Sequence, residues 1–105
     1  MKKPLCLLAL GAMLLVPSLA MAHSPICDCT DNGDNTITCE GGFSDGSSAS
    51  GVKLTVLDGS GNELMSGKMN QDSEYTFDKP KGDYKVVFDA GDGHSIEVEG
   101  KNIVE

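Results

Sequence analysis

From residue 52 onward, apolar and polar positions alternate. Val52, Leu54 and Val56 fall on one face of a run whose other face carries Lys53 and Thr55. Tyr75 and Phe77 repeat the pattern, as do Tyr84, Val86 and Phe88, then Ile96 and Val98. A period of two is what a half-buried antiparallel strand requires. The spacing predicts strands over 36–39, 52–57, 63–69, 74–77, 84–88, 95–99 and a last short one over 102–104. The links are rich in residues that tolerate positive φ: Asp58-Gly59-Ser60-Gly61-Asn62, Lys79-Pro80-Lys81-Gly82-Asp83 and Asp89-Ala90-Gly91-Asp92-Gly93. Residues 41–51, with Phe43 as their one large apolar side chain, read as a Gly/Ser loop or irregular edge. Residues 23–35 carry the weakest pattern. The fold class expected is all-β: a small antiparallel β-sandwich of about seven strands.

The first residues read differently. Lys2 and Lys3 precede an apolar run from Leu5 to Val16, Pro17 and Ser18 follow, and Ala20-Met21-Ala22 is an A-x-A cleavage site. The run is shorter than the roughly 20 apolar residues of a membrane-spanning helix. We expect residues 1–22 to be a secretory signal peptide, 23–50 a cysteine-containing segment with its Gly/Ser loop, and 51–105 the sandwich body, with 23–105 a single domain. The expected location is the periplasm, with no membrane insertion of the mature chain. Cleavage removes Lys2 and Lys3 but no acid, so the formal net charge moves from −8 to −10, and the chain has no arginine. Such a surface repels nucleic acid and attracts cations.

Three cysteines remain after cleavage: Cys27, Cys29 and Cys39. In an oxidising compartment a small core gains most from a disulfide, here Cys39 to Cys27 or to Cys29. The other reading is that the three sulfurs are soft ligands for a metal ion. Cleavage after Ala22 would also make His23 the amino terminus, where the α-amine and the imidazole offer two nitrogens at once. Their unperturbed pKa values, roughly 7.7–8.0 and about 6.5, let a divalent ion displace both protons near neutral pH. His94, at the end of a glycine-rich turn, is the only other histidine. Nickel, cobalt or copper would suit such ligands. Met65 and Met69 are expected in the core or on the sheet. Asp31-Asn32-Gly33-Asp34-Asn35 lacks the ligand order of a calcium loop and reads as a turn. The Ser44–Ser48 region has no nucleophile elbow, and no enzyme is expected.

The stretch GVKLTVLDGSGNELMSGKMNQDSEYTFDKPKGDYKVVFDAGDGH resembles the transthyretin-like, carboxypeptidase-regulatory-type β-sandwich, which implies Greek-key, prealbumin-like connections between the strands. Its continuation, FDAGDGHSIEVEG, is similar to periplasmic accessory components of nickel and cobalt uptake systems of the energy-coupling-factor type. The resemblance spans 51–100 and carries over His94 alone as a candidate ligand. It implies a metal-handling accessory module whose partner is a membrane metal transporter. The alternative is a non-catalytic structural or protein-interaction sandwich without specific metal binding, because fold alone does not decide between these roles.

Overall fold

The computed structural model describes residues 24–91 and 93–105. The expected signal peptide and His23 lie outside them. Seven strands follow in chain order: β1 (Pro25–Asp31), β2 (Thr36–Phe43), β3 (Lys53–Asp58), β4 (Glu63–Lys68), β5 (Glu74–Asp78), β6 (Tyr84–Asp89) and β7 (Ser95–Glu99). They form two antiparallel sheets, a three-stranded one in the order β1-β2-β5 and a four-stranded one in the order β4-β3-β6-β7. The expected small β-sandwich is what forms.

Alternation places the core. Leu54 and Val56 of β3, Val86 and Phe88 of β6, and Ile37 and Cys39 of β2 have no exposed surface. Burying each large apolar side chain contributes about 1.5–3 kcal/mol relative to leaving it in water. Met69, 3% exposed, joins them, and Met65 packs against the cluster from β4. Leu64 is 45% exposed because it lies with Ser66 and Lys68 on the outward face of β4, opposite the inward Met65 and Gly67. The pairing of β3 with β4 also passes over it, since Val56 faces Met65 but Leu57 faces Glu63, which makes Leu64 the extra residue of a β-bulge.

Two glycines let aromatic rings cross between the sheets. A Cβ on Gly41 of β2 would sit 2.5 Å from Cε1 of Phe88 in β6. One on Gly67 of β4 would sit 2.5 Å from Cε1 of Tyr75 in β5. Each ring therefore occupies the space that a side chain would have taken.

Three expectations are corrected. Residues 25–31, where the pattern is weakest, form a full strand, and β2 runs on through Gly41 and Gly42 to Phe43 instead of ending at Cys39. The pairing of β1 with β2 supplies the hydrogen bonds that local sequence does not advertise. The last expected strand is absent as well: Gly100–Asn102 is a single turn of 3-10 helix, with Gly100 packed under the Tyr84 ring. Residues 44–51 remain irregular, as expected.

The far end of the core, around Tyr84, holds a polar group without a partner. Tyr84 is 8% exposed, its ring meets Phe77 edge-on, and its hydroxyl has no hydrogen-bond partner among the described residues. Burial pushes the phenol pKa up. A buried hydroxyl left unpaired costs about 1–3 kcal/mol, whereas an apolar group of the same shape is neutral or better. Tyr84→Phe is therefore expected to keep the fold and raise the melting temperature, by about 4–8 °C for each kcal/mol recovered. Thermal unfolding followed by circular dichroism checks this; a lower melting point would mean that the hydroxyl is bonded in solution.

Candidate functional site

The β1–β2 hairpin gathers the cysteines. Its turn is built by side chains that bind backbone: Asp31 Oδ1 accepts from the Gly33 N–H at 2.9 Å, and Asp34 Oδ1 accepts from the Thr36 N–H at 3.1 Å and its hydroxyl at 2.6 Å. Asn35, at φ 74°, completes the reversal. The turn fixes the register, which sets Cys29 directly opposite Cys39 and Cys27 opposite Gly41. Cys29 and Cys39 are disulfide-bonded with Cα atoms 4.0 Å apart, and Cys27 is a free, buried thiol. Of the two pairings left open by sequence, the register selects Cys29. Cys27 lies two residues away on the same inward face, and the three sulfurs lie within 4.8 Å of one another.

Burial and the neighbouring Asp28 carboxylate push the Cys27 thiol from 9.0 to about 11. Both causes disfavour the thiolate, the nucleophilic form. The thiol beside the disulfide is therefore protonated at neutral pH.

His94 lies at the tip of the β6–β7 hairpin. The Asp89 carboxylate accepts from the Gly91 N–H at 3.0 Å, the His94 N–H donates to the Gly91 carbonyl at 2.9 Å, and the Ala90 N–H donates to the His94 carbonyl at 3.0 Å. The backbone of His94 is fixed while its side chain is exposed.

The topology relates these features. β1 and β7 are the edge strands of their sheets and stack on the same side of the sandwich. The Asp31 N–H donates to the Val104 carbonyl at 3.0 Å, so the end of β1 meets the segment after β7. The two strands accordingly run the same way, and their starting points, Pro25 and Ser95, share one corner. Ser24 is held there by Ser44: its N–H donates to Ser44 Oγ at 3.0 Å and its carbonyl accepts from the Ser44 N–H at 2.8 Å. The chain therefore enters the fold at the corner that carries His94, with Cys27 three residues further in.

Two features were not read from the sequence. On the outer face of the three-stranded sheet, Asp28, Glu40 and Glu74 lie in one row across β1, β2 and β5. Like charges directly opposite each other destabilise a sheet slightly, so this row favours cations and disfavours acidic partners. Strand register creates it, and no local pattern announces it. An open groove of about 500 Å³ lies at the other end of the sandwich, lined by Asp58, Asp83, Tyr84, Lys85, Glu99 and Lys101 among others. It is bordered by turns whose carboxylates already bind backbone: Asp58 Oδ1 accepts from the N–H groups of Ser60 and Asn62, each at 2.9 Å. These bonds hold the Asp58 carboxyl below its usual range. The groove is remote from every histidine and cysteine described above.

No protein-family model matches the chain, and no curated protein sequence and no solved structure is significantly similar to it.

Alkylation tests the protection of Cys27. Iodoacetamide is expected to label Cys27, alone among the three cysteines of the described residues, slowly at pH 8 in the folded protein, with a rate that climbs about tenfold per pH unit until about pH 11. The unfolded chain should label far faster at the same pH. The linkage has one sign: the folded thiol holds its proton to higher pH than the unfolded one. Its contribution to stability is complete below about pH 9.0 and is lost as pH rises toward 11. Peptide mapping of the labelled protein, with melting curves across this pH window, measures both.

Proposed function

We propose that the protein is a periplasmic metal-handling module that binds Ni(II), Co(II) or Cu(II) through His23 and His94 and passes the ion to a membrane metal transporter. One observation carries the reading. The chain enters the sandwich, at Ser24, at the corner where the β6–β7 hairpin presents an exposed His94. A chain cleaved after Ala22 would begin with His23, one residue before Ser24, and its amine and imidazole nitrogens suit these ions. The acidic balance supports the reading by favouring cation approach. The Cys29–Cys39 bond fits an oxidising compartment, and the resemblance of residues 51–100 to nickel and cobalt accessory components points the same way.

A structural or interaction module is the second reading, and the bulged edge strand β4 favours it. That edge leaves backbone groups unpaired beside the exposed Leu64, the kind of surface that can add a strand from a partner.

Calorimetric titration of the protein purified from the periplasm, with its mass confirming His23 as first residue, separates the two. The metal reading expects one Ni(II) or Cu(II) per chain, an affinity at least about tenfold weaker in His94→Ala, and near-complete loss when one residue is added before His23. Binding that neither change affects, or no saturable binding, would remove the metal reading and leave the interaction module.

A further inference from the structure

The cysteine cluster holds an arrangement that the histidine reading does not use. Three sulfurs from two adjacent strands lie within 4.8 Å of one another, and no histidine or carboxylate among the described residues joins them. Cys39 is fully buried and Cys27 is 9% exposed, so two of the three lie in the core. Cys29 is partly exposed and sits on β1, an edge strand. Two sulfurs are thus shielded from water while the third faces a route in.

We propose that reduction of the Cys29–Cys39 disulfide turns this cluster into a site for one Cu(I) ion, held by the thiolates of Cys27, Cys29 and Cys39. A dithiol reductant would supply the electrons. Its first thiolate attacks Cys29 Sγ, the accessible sulfur, and expels Cys39 as a thiolate. Its second thiol then resolves the mixed disulfide, leaving Cys29 and Cys39 reduced and the dithiol oxidised to a cyclic disulfide. Two electrons and two protons pass to the protein. Cu(I) then displaces the thiol protons, which go to solvent.

Geometry and softness select the ion. Three thiolates bound at about 2.3 Å to one ion in their plane stand about 4 Å apart; the three sulfurs already lie within 4.8 Å of one another, and opening the disulfide lets Cys29 and Cys39 separate to that distance. Zinc is almost always four-coordinate with protein ligands or water, and here no fourth His, Cys, Asp or Glu among the described residues joins the three sulfurs. Cu(I) is soft, favours thiolates, and accepts three of them. In the oxidised protein two of the three ligands are tied to each other, so the disulfide keeps the site closed. Redox state would then decide whether the protein carries copper.

The site stands on residues separate from His23 and His94, so the two ideas can fail independently. The test titrates Cu(I) anaerobically against a chromogenic Cu(I) chelator, with oxidised protein and with protein reduced by a phosphine. A phosphine is used because a dithiol would itself compete for the ion. Reduced wild type is expected to take one Cu(I), with an affinity at least about a hundredfold above that of the oxidised form. Cys27→Ser, which keeps the disulfide pair, should lose about tenfold or more in the reduced state, while His94→Ala should not change it. Cu(I) should also raise the melting point of the reduced protein alone. Equal affinity before and after reduction overturns the proposal, and so does an unchanged affinity in both Cys27→Ser and Cys27→Val. Loss of the strand signal in circular dichroism on reduction overturns it too, since the site needs the folded hairpin. Ni(II) titration of the oxidised protein in parallel reports on the histidine reading alone.

Discussion

The sandwich closes because the Phe88 ring lies where a side chain of residue 41 would otherwise stand. Phe88 is fully buried, and the Cβ that Gly41 lacks would be 2.5 Å from its ring. That distance is incompatible with any Cβ, so the sheets could keep their present separation only with glycine at 41. Tyr75 over Gly67 makes the same contact in the opposite sense, from the three-stranded sheet to the four-stranded one. Together the two rings replace the large tryptophan that many small sandwiches place between their sheets; this chain contains none. Gly41 is also the cross-strand partner of Cys27. The contact that sets the sheet spacing is therefore made directly opposite a member of the sulfur cluster.

What could be read from the chain alone follows from how each strand is stabilised. β3, β5, β6 and β7 alternate Val, Leu, Ile, Tyr and Phe with polar residues, so burial of one face is written into their order. β1 alternates too, but with Pro25, Cys27, Cys29 and Asp31 facing inward and Ile26 facing out, 46% exposed. Its largest apolar residue is on the wrong side for a pattern search, and its inward face is sulfur. Counting the cysteines as buried apolar groups would have exposed the period of two. The extension of β2 was hidden for a different reason: Gly41 and Gly42 look like a loop, whereas one of them is there to receive a ring.

The site was legible in its components and not in its arrangement. Cysteine identity and spacing indicated that Cys39 pairs with one of two neighbours. Only the register of the hairpin decides which, and the register depends on a turn shaped by Asp31, Asp34 and Asn35. His94 was visible as an exposed turn residue. Its place at the corner where the chain enters depends on β1 and β7 stacking at the same side with the same direction. That is a property of how two sheets pack, and no local stretch contains it.

The third cysteine is the hardest residue to explain as structure alone. A thiol two residues from a disulfide, on the same inward face, threatens that disulfide with exchange, because a thiolate within reach can attack either sulfur. Alanine or valine at position 27 would fill the core without that hazard. The fold keeps the cysteine and suppresses its chemistry instead: burial, aided by Asp28, moves the thiol to about 11, so almost no thiolate exists near neutral pH. Desolvation of this kind opposes a bare negative charge, and an exchange reaction needs one. A bound cation removes the opposition, because it neutralises the charge as it forms. The same surroundings that keep Cys27 quiet beside an intact disulfide thus leave it available to a soft metal once the disulfide is open.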